Sequence, residues 1–231
     1  MIKRPSTSDR SIALLKGFSN MVNQKNSPAV SQSKKRQLTW KEYTLFISLA
    51  LGAAAIFSFF ASAVQMSIPS SNGNVITTYG PTYSFLFGGQ INSEHTSYAF
   101  KGVNGLVLSS WILILIGLLG TAFTMVCMLR KKFKEETRTL IFLLSALCET
   151  VASILLFSSK ASLANTLCVI IVGSYSESVA NTINSHLSLQ FGIWGAGLFA
   201  LLSAVTIYVS IIREQMLQRL FQAVVTKVKR G

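Results

Sequence analysis

Four apolar runs, at positions 43–66, 104–129, 139–158 and 190–212, contain no Lys or Arg. Each reaches the roughly 20 residues needed to cover a hydrocarbon layer about 30 Å thick. Backbone groups at that depth meet no water, so a crossing chain must close its hydrogen bonds internally, as helices do. The runs are too long and too unpatterned for barrel strands. The sequence therefore predicts an all-α membrane protein, a four-transmembrane-helix bundle running up-down-up-down. Half the residues are hydrophobic and only 13% are charged, against about a quarter charged in soluble domains.

Orientation follows from the basic residues. The arm at 1–42 carries nine Lys and Arg, the turn at 130–138 five and the tail at 213–231 five, while the loops at 67–103 and 159–189 carry one each, Lys101 and Lys160. Such a bias puts both termini in the cytoplasm and both long loops outside a cell membrane. Trp40 and Tyr43 then stand at the inner entrance of the first span and Trp194 near the outer entrance of the fourth, as interfacial aromatics do. The net charge of +13 needs no nucleic acid to explain it. Its basic residues lie where the anionic lipids of an inner leaflet attract them, and no groove-reading motif accompanies them.

The arm is rich in Ser, Lys, Asn and Gln and is expected to be largely disordered, with Ile12, Leu15, Phe18 and Val22 at the spacing of a short interfacial helix. The first apolar run starts too late and is too long for a signal peptide. In the tail, Met216, Leu217, Leu220, Phe221, Val224, Val225 and Val228 line one face of a basic amphipathic helix continuing from the fourth span. Its simplest use is to lie along the inner leaflet; a helix-binding partner is the alternative.

The outer segments predict a small cap. In the first, β-branched and aromatic residues flank Gly80 and Pro81, which suits two short strands joined by a turn. In the second, the run 166–175 reads as a strand, followed by a polar stretch suited to a short helix; alternatively, 163–175 dips into the membrane interface. Cys127 and Cys148 fall within spans, which leaves Cys168 as the lone outer cysteine, so no disulfide within the cap is expected. The outer loops also lack an Asn-x-Ser/Thr acceptor site. These absences favour a bacterial cell membrane over a eukaryotic surface.

One residue asks for a functional reason. Glu149 lies about ten residues into the third span, or roughly 15 Å at 1.5 Å per residue, near the middle of the layer. An ionisable group at that depth is expensive unless it faces protein or water, so it should point into the bundle, on the face it shares with Ser145 and Ser153. Matching depth in the other spans holds Gly117 and Thr121, Ser203, and Ala54 with Ser58. With no cation at that level, the acid is expected to be protonated at neutral pH and to donate a hydrogen bond. It serves either as interhelical glue or as the proton or cation site of a small transporter or channel subunit.

Small residues recur every four positions in the first span (Ala50, Ala54, Ser58 and Ser62) and in the fourth (Gly192, Ala196, Ala200 and Ala204). Such stripes let helices approach closely, within the bundle or between copies of the chain. His95 and His186 stand near Glu94 and Glu177 but match no metal-ligand spacing, and no GxSxG, HExxH or P-loop occurs. No metal, cofactor or catalytic residue is expected. The sequence points to a non-enzymatic, structural or partner-binding subunit of a membrane assembly, with the lipid bilayer and a membrane protein or second copy as partners.

A protease applied to intact cells is expected to leave the tail beyond Ile212 uncut, and alkaline carbonate to leave the chain in the membrane. Cleavage of that tail would reverse the orientation.

Overall fold

The computed structural model describes residues 39–70, 73–92, 97–130 and 133–228. The amphipathic pattern at Ile12 to Val22, the pair Glu94 and His95, and the side chains beyond Met216 lie outside the described residues.

Helix α1, Trp40–Ser58, starts at a capping box: the Thr39 hydroxyl accepts from the Glu42 backbone N–H at 3.4 Å while Glu42 Oε2 accepts from the Thr39 N–H at 2.7 Å. Two of the donors left free at a helix start are satisfied in this way. The apolar run does not stay helical to position 66. After Ser58 the chain turns and becomes strand β1, Val64–Ser70. Ala63, Val64 and Met66 are buried among residues of the loops, so their hydrophobicity serves a second core beside the helices. Hydropathy cannot distinguish the two kinds of burial.

Strand β2, Gly73–Tyr79, pairs antiparallel with β1, Met66 facing Thr77. The turn of this hairpin falls between β1 and β2. Gly80 and Pro81, expected to join two strands, lead instead into the single helical turn α2, Ser84–Phe87, and then the hairpin of β3, Gly89–Asn92, with β4, Ser97–Phe100.

Helix α3, Gly105–Leu129, begins at Asn104, whose side-chain oxygen accepts from the Val107 N–H at 3.2 Å. Helix α4, Glu135–Phe157, carries Glu135 and Glu136 in its first turn, where the helix dipole favours negative charge. The segment expected to contain a strand forms helix α5, Lys160–Val172, because Leu163, Ala164, Leu167 and Cys168 fall on one helical face and are fully buried there. Gly173, at φ 82°, ends it in the left-handed conformation favoured by glycine. Helix α6, Glu177–His186, folds back at 118° to α5. The three-residue strand β5, Leu187–Leu189, joins the free edge of β1, giving the sheet order β2-β1-β5. Helix α7, Phe191–Val228, then runs 38 residues without a break.

Helices α1, α3, α4 and α7 are long and apolar enough to cross a membrane. They pack in a ring, with α1 and α4 each against α3 and α7. Their starts and ends alternate: Lys41 of α1 meets Glu135 of α4 and Glu214 of α7 at one end, which also holds Arg138 and Arg213. The sheet and the α5–α6 pair lie at the other end. Side chains in the ring are arranged inside out. Ile116, Leu119 and Phe123 of α3 and Leu144, Leu147 and Ile154 of α4 face outward, whereas Gly117, Thr121, Ser145 and Glu149 face the centre.

Asn104 ties the sheet-bearing end together. Its amide nitrogen donates to Ser162 Oγ at 3.0 Å and Thr166 Oγ1 at 2.9 Å on α5. Asn104→Ala removes a helix cap and two buried hydrogen bonds, and should destabilise the fold by about 1–3 kcal/mol. Thermal unfolding in detergent measures the loss; an unchanged midpoint would mean that the clamp carries no weight.

Candidate functional site

Glu149 is 0% exposed and crosses the centre of the ring. A Cβ at Gly117 of α3 would stand 2.6 Å from Glu149 Cγ, and one at Gly52 of α1, the helix diagonally opposite, 3.5 Å from Glu149 Oε1. Two glycines on different helices thus flank one acid. Any larger residue at 117 would overlap it. Ser203 of α7 approaches the carboxyl from the remaining side, but its hydroxyl is engaged elsewhere, donating to the Ser48 carbonyl at 3.1 Å and meeting Ser48 Oγ at 2.8 Å. Neither carboxyl oxygen has a hydrogen-bond partner among the described residues, and neither does Thr121 Oγ1, one turn from Gly117 on α3. A bare carboxylate in such surroundings costs several kcal/mol. The geometry suits a neutral acid.

The other hydroxyls singled out from the sequence have separate duties. Ser145 donates to the Ile141 carbonyl of its own helix at 2.9 Å, and Ser153 donates to the Gly197 carbonyl on α7 at 2.9 Å. Ser58 is buried and bonds to the Ala54 carbonyl at 2.9 Å. On α1 the small-residue face turned inward is not the expected one: Ala50 is exposed and Ala54 half-buried, while Ser48, Gly52 and Ala55 are buried. Ser48 and Gly52 share the four-residue spacing of Ala50 and Ala54, and it is the pair of hydroxyl and glycine that turns toward the centre. On α7, Gly192, Ala196, Ala200 and Ala204 are buried.

Sequence reasoning missed the seam between α1 and α7. From the basic end inward, the Arg213 guanidinium stacks over the Trp40 ring at 4.2 Å, Lys41 pairs with Glu214, Thr44 meets Ser210 at 3.1 Å and Ser48 meets Ser203. Lys41 also pairs with Glu135 of α4 at 2.8 Å, so one ammonium joins three helices. Beneath it lies a cavity of about 40 Å³, lined by Lys41, Glu135, Arg138 and Glu214 at its mouth and by Thr124 and Ser210 further in. Polar residues one helical turn apart in α1 and two turns apart in α7 were the available clue. Which span they would face was not written in either.

Cys127 and Cys168 are buried and Cys148 half-buried, all as free thiols. Cys168 Sγ approaches the Ser176 carbonyl at 3.5 Å, which holds the α5–α6 corner. Among the described residues no three His, Cys, Asp or Glu side chains gather as a metal site would require. No known protein family matches the chain, and no curated protein is significantly similar to it. The functional reading therefore rests on the geometry.

Gly117→Ala should destabilise the bundle by about 1–3 kcal/mol through overpacking against Glu149. Combined with Glu149→Ala, the two losses should fall short of additive by about 1 kcal/mol, since each relieves the other. Strict additivity in unfolding measurements would mean that the two side chains do not share one space.

Proposed function

We propose that the chain is an integral protein of a cell membrane, with α1, α3, α4 and α7 as spans, both termini cytoplasmic, and the sheet with α5 and α6 as an extracytoplasmic cap. The observation that carries this reading is the surface of the bundle: large apolar side chains cover it, while an acid and several hydroxyls are buried within among small and apolar residues. In water that arrangement would expose a broad apolar belt and bury unpaired polar groups. In lipid it is the favourable one.

The bent pair α5 and α6 passes the same length and hydropathy test when taken as one broken span. Four spans are the better supported count, because a fifth would put the basic arm and the basic tail on opposite sides. Helix α5 is moreover tied to Asn104 and packs on β4 and β5, as part of a cap would.

Within that frame the role is a non-enzymatic, partner-binding one. Positions 161–176 hold no charged residue, and Val169, Ile171, Val172 and Tyr175 are exposed there, away from the belt of the bundle. An apolar tip of this kind fits the surface of a neighbouring subunit, another membrane protein or a second copy. A second reading, a subunit that moves protons or small cations through Glu149, is favoured by its two carboxyl oxygens, which have no hydrogen-bond partner among the described residues.

Chain extracted from native membranes in mild detergent should retain a companion, and Ile171→Asp with Tyr175→Asp should release it while leaving thermal stability unchanged. A lone monomer whose liposomes pass protons or cations, with the flux lost in Glu149→Gln, would turn the assignment to transport.

A further inference from the structure

The centre of the bundle is divided. Toward the sheet, Ala55, Ile114, Ala152, Ala196 and Ala200 are fully buried and belong to the large apolar core that continues beneath the sheet. Toward the basic end lies a much smaller cluster, Leu45, Phe142, Ala146, Ala204 and Ile207. Glu149 stands between them, and its two sides differ.

On the sheet side, the buried hydroxyls Ser58, Ser110 and Ser153 each donate to a backbone carbonyl and make no contact with one another. On the basic side two hydroxyl pairs form across the α1–α7 seam, while Thr124 and Ser145 donate to carbonyls of their own helices at 2.9 Å. Thr44 meets Ser210 at 3.1 Å, Ser48 meets Ser203 at 2.8 Å, and Thr121 holds a buried oxygen that bonds to nothing among the described residues. The cavity under Lys41 reaches this series at Thr124 and Ser210. From Thr124 to the level of Gly117 is seven residues, about 10 Å or two helical turns. Thr121 and the Ser48–Ser203 pair lie within that interval, with no hydrogen bond between them among the described residues.

We propose that Glu149 is a proton-binding site that exchanges with the basic end of the bundle, through Thr121 and the Ser48–Ser203 pair, and not with the sheet-bearing end. The proton on the carboxyl leaves through these hydroxyls to the cavity, breaking the Glu149 O–H bond and leaving a carboxylate; return of a proton restores the neutral acid. A metal ion fits poorly, since a hard cation takes about six oxygens, and Gly117 packs so closely on the Glu149 side chain that a Cβ there would stand 3.1 Å from Oε1. No Lys, Arg, Asp or second Glu lies at this level of any span. Cys148 is the neighbour on α4, set about 100° around the helix. Tyr208 of α7 comes within 3.4 Å of Thr150 Oγ1. The ionisable groups along the route are those of the cavity, Lys41, Glu135, Arg138 and Glu214. On this assignment the buried acid reports the pH of one compartment. The proposal rests on the transmembrane placement above and is independent of the partner-binding tip.

The test is infrared spectroscopy of the full chain in sealed vesicles of each orientation, perfused with buffers stepped from acid to alkaline pH. The carboxylic-acid band, assigned by its loss in Glu149→Gln and its displacement in Glu149→Asp, should fall when the basic end faces the perfusate and hold when the sheet-bearing end does. Thr121→Val should slow that response by about a hundredfold, the effect of deleting a positioned proton-transfer group. Titration from the sheet-bearing end, equal titration from both, or a band that no step moves would each overturn the proposal. Carbonate extraction of the same vesicles is read first: release of the chain would show that the transmembrane placement had failed, a different outcome from an embedded acid with the wrong access.

Discussion

A hydroxyl or carboxyl in a bundle whose outer surface is apolar has to find its partner inside, and this constraint organises the molecule. Ser48 with Ser203 and Thr44 with Ser210 satisfy it by pairing across the seam of α1 and α7. Ser153 satisfies it against a backbone carbonyl of α7. Glu149 finds no partner among the described residues, and Gly117 packs so closely on it that an added methyl group there would overlap its side chain.

Both ends of the bundle are pinned, by different chemistry. At the basic end Lys41 bridges Glu135 and Glu214 while Arg213 covers Trp40, so charge joins three helices. These groups are half-exposed, and each pair contributes about a kcal/mol or less. At the other end backbone pairing and one amide side chain hold the elements: β5 completes the edge of β1, the Gly192 N–H donates to the Ser62 carbonyl at 2.8 Å, and the Asn104 side chain links α3 to α5. Between the two ends, Gly117 packs on Glu149 at a distance that a methyl group would close.

The central site was partly legible before any fold was known. Glu149 stood out by depth alone, and Ser203 and Gly117 were found at matching height in other spans. Ala50 and Ala54 were taken for the packed face of the first span because spacing alone cannot separate that stripe from Ser48 and Gly52. The run around Cys168 looked like a strand since short apolar windows do not distinguish strand from buried helix. Residues 59–66 read as transmembrane because a segment that turns and enters a strand beside a second apolar core is as apolar as one buried in lipid.

Apolar run length and the distribution of Lys and Arg along the chain determined the four candidate spans and their proposed orientation, because both depend on the properties of each segment taken alone. Tertiary structure decided where the first helix stops, that two distant loops share one sheet, and which three helices surround the acid. Those outcomes depend on contacts between segments far apart in the chain: Lys41 has to meet Glu135 and Glu214, and Gly52 has to meet Glu149. No local pattern encodes such meetings, since a residue's spacing along its own helix says which face it occupies but not what that face will touch.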